Sequence, residues 1–420
     1  MKLSNMETKR WWIAVAAVVM QLCLGTVYAW SIFKKPMMAA HGWGETQTQG
    51  AFMIYAAMFA LSVASGGILV DRKGPRFVGT IGGILFGTGL VLAGLANIYA
   101  NIGLLYLAYG IIAGLGGGFG YVTPITTLIR WFPDKRGLMT GLAVMGYGLG
   151  SFIMGNAGPS LIMKIGVADT FFWWGAISFC LVLSAVTVLK NPPEKWAPSG
   201  PANTVHGMHT IQGSFTFPQA VKTPQLWTLW LMLLVIISAG LGLISQLSPM
   251  AQDVMTAEAG GALDEDRMKA IVIASGGVVA FAAVFNGMGR LFWAWISDTA
   301  GRKAIFAALF LTQAAGYIVL ANTSQVILFT AVSCYLFACY GGALASMPAF
   351  VADEFGSEHI GKIYGTIFTA CALAGIIGPY VFARSKELTG SFSTALYIES
   401  ALLAAGFVLA ITFRRPQIKT

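Results

Sequence analysis

The sequence predicts an all-α integral membrane protein, with twelve transmembrane helices arranged as two pseudo-symmetric six-helix bundles. Three observations lead there: an apolar composition, twelve apolar stretches of spanning length, and a loop motif that recurs at equivalent places in the two halves. Of 420 residues, 56% are hydrophobic and only 10% are charged, and the mean hydropathy is +0.72, outside the range of a soluble chain. A bilayer crossing takes about 20 apolar residues, so twelve crossings use roughly 240 and leave no space for a large soluble domain.

The first six stretches fall near 11–33, 48–70, 77–97, 101–129, 137–165 and 170–190. The second six fall near 224–252, 268–296, 303–321, 326–352, 360–383 and 392–413. Each is long enough to span as a helix that satisfies its own backbone groups. Between the two sets, residues 191–222 contain Pro192, Pro193, Pro198, Pro201 and Pro218 among polar residues, which marks a cytoplasmic linker. Residues 1–190 and 223–420 are therefore the expected N-terminal and C-terminal bundles.

Lys and Arg favour the cytoplasmic side of short loops. With the N-terminus inside, 18 of the 26 basic residues fall on that side, seven fall outside, and Arg290 alone lies within a predicted span. Both termini are expected in the cytoplasm, in a plasma membrane or bacterial inner membrane. The net charge of +9 is explained by retained cytoplasmic charge and anionic lipid, with no nucleic-acid partner. The run from Trp11 is too long for a signal-peptide core and is read as a span.

Five cysteines lie in apolar stretches without metal-ligand spacing, and there is no phosphate-binding glycine loop. No metal or cofactor is implied, and no nucleophile, metal set or acid pair within a span points to an enzyme. Glycines are instead a packing device: Gly137, Gly141, Gly146, Gly150 and Gly155 recur at four- or five-residue spacing, and five more crowd 114–120.

Repetition organises the chain. Asp71-Arg72-Lys73-Gly74-Pro75-Arg76 follows the second stretch, and Asp298-Thr-Ala-Gly301-Arg302-Lys303 follows the eighth, 227 residues later. Pro124, Gly137 and Gly141 are echoed by Pro348, Gly361 and Gly365 at an offset of 224. Two parallel repeats put a substrate site at their interface near the membrane middle, with alternating access by rocking.

Gly67-x-x-x-Asp71-Arg72-Lys73-Gly74-Pro75-Arg76 resembles the signature of the major facilitator superfamily. More narrowly, Arg130-Trp131-Phe132-Pro133-Asp134-Lys135-Arg136-Gly137, Tyr28-Ala29-Trp30 and Asn286-Gly-Met-Gly-Arg290 resemble its monocarboxylate transporter and oxalate–formate antiporter branch. The resemblance implies a secondary active transporter of small monocarboxylates such as L-lactate or pyruvate, with proton symport. Exchange of oxalate, formate or a similar pair is the alternative, and a transporter-like sensor the alternative of another class. A functional monomer is expected.

Arg290 is the expected substrate anchor. A guanidinium in a span normally faces a polar cavity or a partner, and its planar fork donates two parallel hydrogen bonds to a carboxylate. The competing reading has it snorkel towards Asp298 at the cytoplasmic edge. Asn286, four residues earlier on the same face, would hold the guanidinium or a substrate hydroxyl. The resemblance marks two departures. Animal monocarboxylate transporters typically hold a proton-accepting aspartate where Asn286 stands, and the oxalate transporter's helix-11 lysine aligns with Cys371. One fixed cation matches one carboxylate.

Tyr28, Tyr121, Tyr147, Tyr340 and Phe368 would complete a small pocket, each being equally readable as packing. Phe368 and Cys371, three apart, would meet the apolar end of the substrate. Asp71, Arg72, Arg76, Asp298 and Arg302 are the expected gating residues, holding an outward-open state from the cytoplasmic face. Lys34 is read either as an attractor of incoming anions or as a solvated, snorkelling lysine. Glu399, the only acid well inside a span, is read first as snorkelling outward or pairing with a polar group, and only secondarily as a proton site.

Overall fold

The computed structural model describes residues 2–132, 136–193, 214–260, 263–356 and 359–416. These residues fold into helices alone. Helix α1 runs Lys2–Gly25 and continues through a 3-10 turn, Thr26–Ala29, into Ser31–His41. Then come α2 (Glu45–Lys73), α3 (Pro75–Ile98) and α4 (Ile102–Trp131), the last with a π-helical stretch at Tyr106–Ala113. Arg136–Val188 is one continuous helical run bent at Gly166, whose φ of +83° suits a residue without Cβ. Its arms, 136–165 and 167–188, are α5 and α6. The second half comprises α7 (Pro224–Ala259), α8 (Glu265–Ala300), α9 (Arg302–Asn322), α10 (Val326–Phe355), α11 (Ile360–Thr389) and α12 (Ser393–Thr412).

Among the described residues eleven runs are long and apolar enough to cross a membrane, and the bend at Gly166 divides the fifth of them into two, making twelve. Their outer faces carry exposed Trp173, Phe281, Trp295 and Ile327, apolar surface that only lipid would cover. The structure thus has the all-α, multi-pass architecture that the sequence implies. Its helices are longer than the apolar stretches, because they run on through polar first-turn residues such as Glu45 and Glu265. Of the linker, residues 194–213 lie outside the described residues. Its end folds back on the second half, where the Phe215 amide donates to the Phe355 carbonyl at 2.9 Å.

The repeat is visible in the backbone. Gly74 (φ +83°) and Gly301 (φ +88°) break the chain at equivalent points between α2 and α3 and between α8 and α9. After each, a cation two residues later ties the loop to the end of its own bundle. Arg76 Nε donates to the Leu189 carbonyl at 2.8 Å, and Lys303 Nζ to that of Phe413 at 2.9 Å. Asp71 pairs with Arg130, while Arg302 pairs with Asp298 and with Asp353. Arg72 is exposed. The side chains of Pro133, Asp134, Lys135, Arg136 and Gly137 lie outside the described residues.

Across the halves, α5 packs along α8 and α2 along α11. Glycines set the spacing at these crossings and within the first half. A Cβ on Gly25 would lie 1.8 Å from the Tyr147 carbonyl oxygen, and one on Gly150 2.4 Å from the Gly25 carbonyl carbon. Gly150→Val therefore has to push α1 and α5 apart, and overpacking of this kind costs about 1–3 kcal/mol. We expect it to lower the Tm of the detergent-solubilised protein by several degrees; an unchanged Tm would show that the crossing tolerates separation.

Candidate functional site

Arg290 lies on α8 facing the first half, only 2% exposed. Its position is made by glycines on the neighbouring helices. A Cβ on Gly341 of α10 would meet Arg290 Cγ at 3.0 Å, and one on Gly148 of α5 would meet Asn286 Oδ1 at 2.7 Å. Asn286, fully buried, accepts from Arg290 Nε at 3.1 Å. Nη1 of Arg290 and Nδ2 of Asn286 have no protein partner. The snorkelling alternative is thereby overturned: Arg290 turns inward, and Asp298 is taken by Arg302.

Phenols surround the guanidinium. Tyr28 of α1, Tyr121 of α4 and Tyr340 of α10 all lie close enough to act on its charge. The Tyr28 and Tyr340 hydroxyls share a hydrogen bond of 3.1 Å, joining the halves at the centre. Tyr147 stands edge-on to Tyr28 and Tyr121, with ring centroids 5.2 and 5.0 Å away. Cys371 of α11 is buried beside these rings. Six of the eight expected substrate residues, Arg290, Asn286, Tyr28, Tyr121, Tyr340 and Cys371, therefore meet in one cluster, and Tyr147 backs it. Phe368 stands behind Tyr364, their centroids 5.7 Å apart.

Tyr364 is a further member, one that the sequence analysis did not name among the substrate residues. It lies near Arg290, Tyr121 and Cys371, and its place seven residues before Cys371 puts both on one helix face. Phe59 of α2, 5.3 and 5.7 Å from Tyr121 and Tyr147, gave no sequence signal beyond being aromatic. A cavity of about 620 Å³ opens elsewhere, among Lys35, Asp253, Lys386 and Phe392; none of its lining residues belongs to the cluster.

Above the cluster, on the side away from the linker, the two halves are closed against each other. Lys34 is 0% exposed, which corrects its reading as a solvated lysine. It pairs with Glu45 and donates to Gln246 Oε1 at 2.7 Å, while Gln246 Nε2 donates to Gln49 at 3.1 Å. Lys35 and Lys386 converge on Asp253 at 2.8 and 2.7 Å, and Thr46 donates to Glu387 at 2.6 Å. Direct polar links between described residues of the two halves thus gather at this far face and, at the centre, around the Tyr28–Tyr340 contact and Arg290. The loop-motif residues near the linker bond only within their own halves.

The far-face closure yields a direct expectation. Asp253→Asn leaves Lys35 and Lys386 facing each other without their shared counter-charge. The pairs are half-exposed, so the loss is about 1 kcal/mol, or roughly fivefold in the open population. Maleimide labelling of Gln49→Cys in a cysteine-free background should accelerate by that factor. An unchanged rate would mean that Asp253 does not hold the closure.

The profile of the Major Facilitator Superfamily matches residues 13–379. The chain belongs to this superfamily. It is 29% identical over 414 residues to the oxalate:formate antiporter of Oxalobacter formigenes, covering 97% of this chain and 92% of the relative. It is 28% identical over 375 residues to an uncharacterized MFS-type transporter of Escherichia coli, covering 89% and 87%. Monocarboxylate transporter 13 of Rattus norvegicus is 23% identical, covering 96% and 88%. Among solved structures, a bacterial homologue of the human lysosomal transporter Spinster, in an inward-facing and unoccupied conformation, superposes with a TM-score of 0.69 at 15% identity, covering 96% and 95%. As a superfamily member this protein is a transporter and not an enzyme, related to monocarboxylate transporters and to the oxalate:formate antiporter.

Proposed function

We propose that this protein carries small monocarboxylates such as L-lactate or pyruvate, together with a proton, by alternating access. The observation that carries the reading is the Arg290 cluster. A buried guanidinium keeps one nitrogen unpartnered among phenols, and Cys371 stands where the resemblance puts a second cation. An unpaired buried charge costs several kcal/mol, and a monoanion offsets it with two charge-assisted hydrogen bonds. The tyrosine hydroxyls orient the carboxylate, and Cys371 faces its short apolar end, with Phe368 backing Tyr364 behind it.

In this reading the closed far face belongs to the inward-facing state, with both termini and the linker in the cytoplasm of a plasma membrane or bacterial inner membrane. When the far face opens, the Asp71 and Asp298 loops hold the cytoplasmic side shut. One chain contains both halves of the site, so a monomer suffices.

The test is proton movement. Adding L-lactate to proteoliposomes in weakly buffered medium should raise the external pH, and a protonophore should abolish the difference between proton and lactate accumulation. Lactate entry without alkalinisation would refute symport. The second reading, oxalate–formate exchange, is favoured by the 29% identity to that antiporter; it requires a counter-anion inside and no pH change.

A further inference from the structure

Outside the Arg290 cluster, the second half buries a carboxyl that the substrate site does not use. Glu399 on α12 is 0% exposed, so it neither snorkels nor faces lipid. Helix α12 packs against α9, α7 and α11. From α7, Ser238 Oγ donates to Glu399 Oε1 at 3.3 Å. From α9, Tyr317 faces the carboxyl, but its hydroxyl donates to the Ala239 carbonyl at 2.6 Å. The neighbouring Ser400 donates to the Ala314 carbonyl at 2.8 Å. From α11, Gly378 lies against the Ser238 carbonyl and brings no charge. Among the described residues, Glu399 Oε2 has no partner and no Lys, Arg or His side chain acts on the group. An ionised carboxylate there would hold its charge on one long hydrogen bond in an apolar surrounding, whereas the neutral acid would not.

Helix α7 connects this carboxyl to the rest of the machine. Two residues beyond Ser238, Gly240 lies so close under the Tyr340 ring that an added Cβ would be 2.1 Å from Cδ2. Further along the same helix, Gln246 and Asp253 supply α7's share of the far-face closure, beside Lys386 and Glu387 of α11. A movement of α7 that opens the far face therefore also shifts Ser238 from Glu399 and changes the packing under Tyr340.

We infer that Glu399 is the proton-binding site of the transport cycle, coupled through α7 to the Arg290 cluster and to the far-face closure. The inference rests on the symport reading above. A proton adds to the Glu399 carboxylate on one face while a monocarboxylate pairs with Arg290, and both leave on the other face, so each cycle moves no net charge. In the state seen here the carboxyl is shut away with its proton; movement of α7 admits water and releases it.

Two assays on proteoliposomes separate the parts of this account. Lactate–lactate exchange at equal pH needs no net proton movement, whereas a one-unit inward pH gradient supports about tenfold accumulation at one proton per lactate. The Glu399→Gln protein should retain exchange and lose that tenfold accumulation. Accumulation equal to that of the unaltered protein overturns the assignment, and so does loss of exchange as well in a protein that remains monodisperse. If the unaltered protein exchanges but ignores the gradient, the symport reading itself falls. Where Glu399→Gln does not fold, the unaltered protein decides: dicyclohexylcarbodiimide, which attacks protonated carboxyls in apolar surroundings, should modify Glu399 and block accumulation. Absence of adduct on the Glu399 peptide overturns the inference.

Discussion

Replacing Arg290 by Gln is expected to bring labelled L-lactate uptake by proteoliposomes down to the level of protein-free vesicles. The neutral amide keeps much of the volume and can still reach Asn286, so the fold should survive. What is lost is the only cation within the central cluster of described residues. Breaking a buried, hydrogen-bonded charge pair costs about 3–5 kcal/mol, which is at least about a hundredfold in binding. Arg290→Lys should recover only part of the activity, because an ammonium keeps the charge but not the bidentate fork. Uptake that is indifferent to both substitutions would remove the carboxylate from this site.

The second large effect is a change of selectivity. Cys371 lies beside Tyr28, Tyr121, Tyr340 and Tyr364, the phenols around Arg290. Cys371→Lys would supply a second cation to the same cluster. At an effective dielectric constant of about 20, two unit charges roughly 6 Å apart interact by about 3 kcal/mol. Desolvation of the new ammonium and its repulsion from Arg290 offset part of this gain. Competition by oxalate against lactate should therefore strengthen by about tenfold, with lactate uptake itself reduced. Cys371→Ser, which adds no charge, should leave the selectivity alone. If oxalate competes equally against both variants, this face of α11 does not touch the substrate.

Much of the architecture was legible because a bilayer imposes one rule on every span: an apolar run of about 20 residues in helical form. The spacing between Asp71 and Asp298 exposed the repeat, and Gly74 and Gly301 carry it in the backbone. Legibility failed where a side chain's fate depends on a partner far away in sequence. Lys34 reads as a loop lysine until Glu45 and, 212 residues on, Gln246 close over it. For Glu399 the sequence leaves snorkelling outward and pairing with a polar group both open, and only Ser238 and Tyr317, distant in sequence, decide for the second. Arg290 was legible for the converse reason: a guanidinium in a span has few places to go. Tyr364 was missed since one more aromatic in a chain with 13 tyrosines carries no signal without the helix face it shares with Cys371.

The most direct test of the central claim is uptake of labelled L-lactate by the unaltered protein in proteoliposomes under an inward proton gradient, with unlabelled oxalate as competitor. The account predicts accumulation that rises with the gradient, collapses with a protonophore and is only weakly reduced by oxalate. Uptake that needs an internal counter-anion, ignores the gradient and is strongly displaced by oxalate would contradict it.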